Sequence, residues 1–163
     1  MLSAYLLAAA IGIMPPVVMK SPRVRPMSQT AREIVADAAR RSPTITRLLE
    51  IIERSDTIVY IDLDFNLRSE GATTLIASNT LCRFVRVVVG QMLTPHRRIE
   101  MLGHELQHAV EIIQAPQVRD ASGVRQLFSK IGWLLTDLSY ESPAAIGTER
   151  QVRKELISSP LRR

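Results

Sequence analysis

The stretch His104-Glu105-Leu106-Gln107-His108 stands inside a long segment whose pattern predicts a single packed helix. Apolar residues recur around it at helical spacing, Thr94-Pro95 is typical of a helix start, and Ala115-Pro116 is typical of a helix end. Residues four apart on a helix lie on nearly the same side, so His104 and His108 are expected to project together, one turn apart.

Two imidazoles and a carboxylate in this order are typical of a zinc hydrolase. His104 and His108 can bind one metal ion, and Glu105, on the flank of the same face, can reach a metal-activated water without binding the metal. That is the position of a general base. The alternative is an amphipathic helix with two half-buried histidines and a solvated glutamate. A third metal ligand would decide between these two interpretations.

Candidates for the third ligand are sorted by their distance from the two histidines. Glu100 and Glu111 share the helix face, but a set with either of them spans about 12 or 10 Å along the axis, too far for zinc bonds of about 2 Å. His96 meets the same objection. Glu141 and Glu149 remain, on a face of the last predicted helix that is otherwise apolar, where a carboxylate is costly unless a positive charge meets it. The residues alone leave both open.

The HExxH helix and the segment Tyr140-Glu141-Ser142-Pro143-Ala144-Ala145 together resemble the gluzincin metallopeptidases, in which HExxH is followed, after a variable interval, by a glutamate on a second helix. The resemblance covers less than a third of the chain. It implies a small, minimal zincin-like domain with zinc as the cofactor. It also implies His104, His108 and Glu141 as the metal ligands and Glu105 as the general base.

One group of these peptidases has an aspartate where this chain has Ala145. Metal-bound histidines usually donate their second N–H to a carboxylate or a carbonyl, so another acceptor is required, and Asp137 is a candidate. The resemblance further implies that substrate lies along an edge strand beside the motif helix, with residues 72–77 as the candidate strand.

The predicted function is that of a zinc-dependent metallopeptidase, which hydrolyses a peptide or protein substrate through a metal-activated water with Glu105 as general base. The alternative is a membrane-tethered, non-catalytic binding module on a zincin scaffold. Hydrolysis of a non-peptide amide is a third interpretation. Two imidazoles and a carboxylate also suit iron, cobalt or nickel, so the residues leave the metal open.

Changes in the hydrophobic period predict a single α+β domain with a small sheet, an active-site helix and a C-terminal helix that carries the third ligand. Thr30 and Glu33 have the spacing of a capping box at the start of the first helix. The other predicted elements are a helix over 44–54, strands over 57–65, 72–77 and 82–89, the motif helix, and helices over 120–131 and 142–157.

The N-terminal segment Met1–Met19 has no charged side chain and resembles an apolar leader, a signal peptide or a short membrane anchor. Residues 20–27, which include two prolines and three basic residues, are predicted to link it to a domain over residues 28–163. The protein is therefore expected to be exported or membrane-anchored, with membrane association through its N-terminus. It is cytoplasmic if that segment is not a leader.

The formal charge of +5 comes from arginines scattered along the chain, with no dense basic block and few aromatic residues. No nucleic acid partner is therefore expected. Cys82 is the only cysteine, so a disulfide within the chain is excluded.

Overall fold

A computed structural model describes residues 21–136 and 139–158 of the chain. Within them the chain is an α+β structure. The helices are α1 (Gln29–Arg41), α2 (Pro43–Glu53), α3 (Pro95–Gln114), α4 (Ala121–Ile131) and α5 (Pro143–Ser158). The strands are β1 (Val24–Pro26), β2 (Thr57–Asp64), β3 (Gly71–Ser78), β4 (Arg83–Gly90), β5 (Trp133–Thr136) and β6 (Ser139–Glu141). The predicted leader over 1–19 lies outside these residues, and no helix within them has both the length and the apolar content to cross a bilayer.

Four strands form one sheet in the order β1-β2-β4-β3. β1, β2 and β4 are parallel, whereas β3 runs antiparallel to β4 at one edge, and this is the strand that the sequence predicts over 72–77. α3 packs against β4 and β3, and on its other side against α5 and α2. The core between the sheet and α3 includes Val59, Ile61, Val85, Val87, Val89, Leu102 and Leu106.

The first helix begins earlier than its predicted capping box. The hydroxyl of Ser28, not that of Thr30, accepts a hydrogen bond from the backbone amide of Ala31. Glu33 instead accepts a hydrogen bond from the side chain of Gln29, one turn before it. The capping-box prediction is therefore wrong, because Ser28 already satisfies the free amide of the first turn.

Part of the predicted linker belongs to the sheet. Residues 24–26 form β1, which pairs in parallel with β2 at the edge opposite β3. The backbone amides of Arg23 and Val24 donate hydrogen bonds to the carboxylate of Glu53 at the end of α2. A strand of three residues shows no hydrophobic period, and Pro26 is tolerated because edge strands leave some N–H positions unpaired. The folded part therefore begins before residue 28.

A second departure from the prediction is the hairpin of β5 and β6, between α4 and α5. Glu141 is the last residue of β6 and lies before α5, which begins at Pro143. Pro143 suits the first position of a helix, and the hydroxyl of Ser142 accepts a hydrogen bond from the amide of Ala145 as its cap. The expectation that the C-terminal helix carries Glu141 is therefore wrong, because this glutamate belongs to the strand that precedes the helix.

The C-terminal end of α3 is held by Arg83 of β4, whose side chain is buried. Its guanidinium donates hydrogen bonds to the backbone carbonyl oxygens of Ile112, Ile113 and Ala115. It also forms an ion pair with Asp56, 2.6 Å away. Because the last carbonyls of a helix have no partner within it, Arg83 satisfies these groups and fixes the motif helix against the sheet.

Candidate metal centre

His104 and His108 lie on adjacent turns of α3, and Glu141 of β6 faces both of them. Nε2 of His104 is 3.4 Å from Oε2 of Glu141, and Nε2 of His108 is 3.6 Å from Oε1 of the same carboxylate. The two imidazoles are buried, and one ligand atom of each of the three side chains lies within 4.8 Å of the others. The structure thus brings together all three residues that the sequence and the resemblance nominate as ligands.

The separations between these atoms suit a tetrahedral zinc ion. Ligand atoms that lie about 2.1 Å from one centre at tetrahedral angles are about 3.4 Å apart. The distances from the two Nε2 atoms to the carboxylate oxygens, 3.4 and 3.6 Å, are close to that value. Two imidazole nitrogens and a carboxylate oxygen are also a donor set that zinc accepts. Each imidazole meets a different oxygen of the carboxylate, so the residues present fit a zinc ion by donor type and by these two separations.

The other ring nitrogen of His108 has a carboxylate partner of its own. Nδ1 of His108 and Oε2 of Glu111 are 2.8 Å apart, and the second oxygen of Glu111 accepts a hydrogen bond from the hydroxyl of Ser142. Burial works to lower the pKa of His108, but the hydrogen bond to Glu111 and the surrounding carboxylates outweigh it and raise that pKa. Glu111 is too far along the helix from His104 to join the candidate ligands, but its carboxylate is placed to orient the ring of His108.

The second ring nitrogen of His104 faces Glu149 of α5. Nδ1 of His104 is 3.3 Å from Oε2 of Glu149, and this buried nitrogen makes no hydrogen bond within the described residues. Glu149 also pairs with Arg97 and Arg153. Burial works to raise the pKa of Glu149, but the hydrogen bond and the charge of Arg97 outweigh it and lower that pKa. The carboxylate of Glu149 therefore lies beside Nδ1 of His104 in a setting that favours its ionised form. Glu149 is placed to orient the ring of this candidate ligand.

Glu105, the predicted general base, lies beside the ligands and is buried. Its Oε2 accepts a hydrogen bond from the hydroxyl of Thr73 on the edge strand β3, at 2.7 Å. Burial raises the pKa of Glu105, against the opposing effects of the Thr73 hydrogen bond and of the two histidines. A carboxylate of this kind, with a raised pKa beside a candidate metal site, is typical of a group that exchanges protons.

Gly71, the first residue of β3, lies directly against Glu105. A Cβ atom added to Gly71 would come within 2.7 Å of Cγ and 2.9 Å of Cδ of Glu105. A real Cβ is not tolerated at such distances, so a side chain there would displace the glutamate. The strand therefore positions Glu105 in two ways, through the hydroxyl of Thr73 and through the absence of a side chain at Gly71.

A cleft of about 1000 Å³ opens at this site. Its walls include Thr73 and Leu75 of β3, His108 of α3, and Val124 and Phe128 of α4. The ring of Phe128 meets the ring of His108 edge-on, with 5.3 Å between the ring centroids. The cleft therefore combines candidate catalytic groups with apolar walls, as substrate sites commonly do.

The sequence did not indicate which carboxylates lie beside the Nδ1 atoms of the two histidines. Asp137, its candidate acceptor for a histidine N–H, lies outside the described residues. Glu111 and Glu149 lie beside those ring nitrogens instead, and the one signal in the sequence was that Glu149 is an acidic residue on a face that is otherwise apolar. Thr73 gave no signal, because threonine is ordinary in a strand.

No protein-family model, curated protein or solved structure matches this chain.

Proposed function

We propose that this protein is a zinc-dependent metallopeptidase of the gluzincin type, with a zincin-like domain. In the proposal His104, His108 and Glu141 bind the ion, and Glu105 is the general base. The supporting observation is that both Nε2 atoms converge on one carboxylate, while a second, buried carboxylate stands beside them on the cleft wall. A purely structural zinc site has no need of that second carboxylate, whereas hydrolysis does.

The chain's own residues divide the work between orientation and proton transfer. When bound, zinc would lower the pKa of a water in the cleft and polarise the scissile carbonyl. Glu111 accepts a hydrogen bond from Nδ1–H of His108, and the carboxylate of Glu149, 3.3 Å from Nδ1 of His104, favours the proton on that nitrogen, so that each Nε2 is free to bind the ion. Glu105 takes a proton from the water and later delivers it to the leaving amine.

The sheet supports a peptide as the substrate. β3 pairs with β4 on one side and is the edge strand next to the cleft. Edge strands carry unpaired backbone N–H and C=O groups, and an extended peptide can add to them as a further strand. A small amide would make no use of such an edge, so the arrangement favours a polypeptide.

Glu105→Gln tests the proposal. Glutamine keeps the size of the side chain and can still accept the hydrogen bond from Thr73, but it cannot accept a proton. We expect the zinc-loaded variant to keep the wild-type zinc content and circular dichroism, while cleavage of reduced and alkylated protein falls about 10²- to 10⁴-fold. Glu50→Gln, which changes an exposed glutamate of α2, is the matched control and should cleave like the wild type.

The other outcomes separate the competing interpretations. Unchanged cleavage by Glu105→Gln would reject this residue as the base. Stoichiometric zinc without cleavage of any peptide by the wild type would favour the non-catalytic binding module. His104→Ala should lose the zinc, and metal analysis of the purified wild type would reveal iron, cobalt or nickel if one of these is the native ion.

A further inference from the structure

A groove of about 490 Å³ lies beside the metal centre, between α4 and the β5–β6 hairpin. Trp133, Leu134 and Tyr140 line it from the hairpin, and Arg125 and Ser129 line it from α4. One side of this groove is thus apolar and aromatic, and its other side is polar. Sites that take an apolar side chain commonly have this composition.

β5, the strand that forms the apolar side of the groove, is exposed along its whole length. All four residues of β5 are exposed, and 44% of Trp133 and 54% of Leu134 remain accessible. Single exposed apolar residues are normal on a protein surface, but a consecutive run of large ones beside a cavity indicates a binding surface.

The groove adjoins the cleft of the candidate metal centre. Arg125 and Tyr140 line both cavities. The ring of Tyr140 stacks on Phe128 with 5.7 Å between centroids, and Phe128 meets His108 at 5.3 Å. The ring of Tyr140 therefore lies no more than about 11 Å from that of His108, a distance that an extended chain covers within about three residues.

The backbone of the β5–β6 hairpin also connects the groove to the candidate metal centre. In the hairpin Trp133 pairs with Glu141, and Leu134 pairs with Tyr140. A Cβ atom at Gly132 would collide with the backbone of Glu141, so a glycine at this position lets the two strands close on each other. The wall of the groove is thus held on the strand that supplies the third ligand.

We propose that this groove binds a large aliphatic or aromatic side chain of the substrate, within about three residues of the bond that is cut. The substrate class is then an extended polypeptide segment rich in apolar residues, of the kind that an unfolded protein exposes. Because the groove is taken to continue a peptide-binding cleft, this assignment rests on the proposed peptidase function.

Trp133 is the only tryptophan of the chain, so its fluorescence reports on the groove directly. The probes are acetohydroxamate and short alanine-serine peptides that carry a hydroxamate at one end, which anchors them to the metal. The peptides form a series in which one phenylalanine stands in turn at each of the first five positions from the hydroxamate. Binding to the zinc-loaded wild type is measured by isothermal titration calorimetry, and Trp133 emission, excited at a wavelength that phenylalanine does not absorb, reports whether the groove is occupied.

We expect phenylalanine at one of the first three positions, and not at the fourth or fifth, to tighten binding at least about tenfold over the parent peptide and to shift the emission to the blue. Leu134→Thr, which keeps a residue suited to a strand but removes the apolar wall, should abolish that gain without loss of zinc. Leu81→Thr is the matched control, since Leu81 is 80% exposed and does not line the groove. It should keep the gain.

Three results would overturn the assignment. The first is an equal gain at every position of the phenylalanine, and the second is a gain that survives in Leu134→Thr. The third is an emission that responds to phosphatidylglycerol vesicles or to protein concentration instead of to the peptides, which would assign β5 to a membrane or to a second copy of the chain. A zinc-loaded protein that does not bind acetohydroxamate at all would overturn the peptidase proposal, and the assignment of the groove with it.

Discussion

The hydroxyl of Thr73 lies 2.7 Å from Oε2 of Glu105 and 2.9 Å from the backbone carbonyl oxygen of the same residue. The edge strand β3 and the motif helix α3 are therefore joined at the residue proposed as the general base. A hydrogen bond from a hydroxyl favours the ionised carboxylate, which is the form that accepts a proton from water. Thr73 is thus a positioning residue, since it acts through Glu105.

Thr73→Val should slow cleavage while zinc binding is unchanged. Valine has the shape of threonine but no hydroxyl, and a hydrogen bond to a charged group contributes about 1.5–3 kcal/mol, so kcat is expected to fall about 10- to 100-fold. Thr73→Ser keeps the hydroxyl and should retain most of the activity. Steady-state kinetics with zinc content measured in parallel provide the check, and equal loss in both variants would contradict the role of the hydroxyl.

Gly71→Ala should reduce cleavage because the added methyl group would collide with the side chain of Glu105. Gly147→Ala is the matched control, because a Cβ atom at this position of α5 meets nothing within 4 Å. That control should leave cleavage unchanged and stabilise the helix by about 0.5–1 kcal/mol. Thermal unfolding and kinetics of both variants give the comparison, and wild-type activity in Gly71→Ala would show that Glu105 has room to move.

Glu149→Gln should weaken zinc binding about 10- to 100-fold, because Nδ1 of His104 would lose its charged acceptor. Arg153→Gln is the control. It removes an ion pair of Glu149 on the solvent side but leaves the contact with His104, so zinc affinity should stay near the wild-type value. Competition with a chromophoric chelator measures both variants, and equal affinities in Glu149→Gln and wild type would show that Glu149 does not support the ligand.

Asp56→Asn should destabilise the fold by about 1–3 kcal/mol at neutral pH, because it leaves the buried guanidinium of Arg83 without its counter-charge. Burial works to raise the pKa of Asp56, but the hydrogen bond and charge of Arg83 outweigh it and lower that pKa below the usual 3.8. The stabilisation is therefore present above about pH 3.8 and lost as the pH falls through the lower pKa of the folded state.

Urea denaturation of wild type and Asp56→Asn between pH 3 and 7 checks this prediction, and the difference between the two stabilities should narrow at the acidic end. Asp62→Asn is the control, because its partner Arg86 is 48% exposed and such surface ion pairs contribute less than about 1 kcal/mol. A difference between wild type and Asp56→Asn that does not change with pH would exclude the ion pair as its source.

The sequence predicted the parts of the fold that have strong local signals. α3 is capped by Thr94 and ends at Gln114 with Ala115 as its C-cap, as the two proline signals indicate, and β2, β3 and β4 follow their predicted ranges to within a residue. β1, β5 and β6 were missed because strands of three or four residues are shorter than the pattern needed to detect them.

The candidate site was predictable to the same degree. Helical spacing is enough to pair His104 with His108, because both lie on one element. Glu141 and Glu149 could not be assigned separate roles from their spacing, since that depends on how α5 packs against α3 and on which imidazole nitrogen each carboxylate meets. The resemblance to gluzincins, and not helical spacing, indicated Glu141 as the third ligand.

α3 and α5 pack directly against each other, and the chain leaves them only for the stretch over 116–140, which contributes α4, β5 and most of β6. His104, His108, Glu105, Glu111 and Glu149 all lie outside that stretch, and Glu141 directly follows it. Under the proposed function, changes to the side chains that α4 and β5 present to the two cavities would therefore alter which polypeptides are accepted, provided that the pairing of β5 with Glu141 is kept.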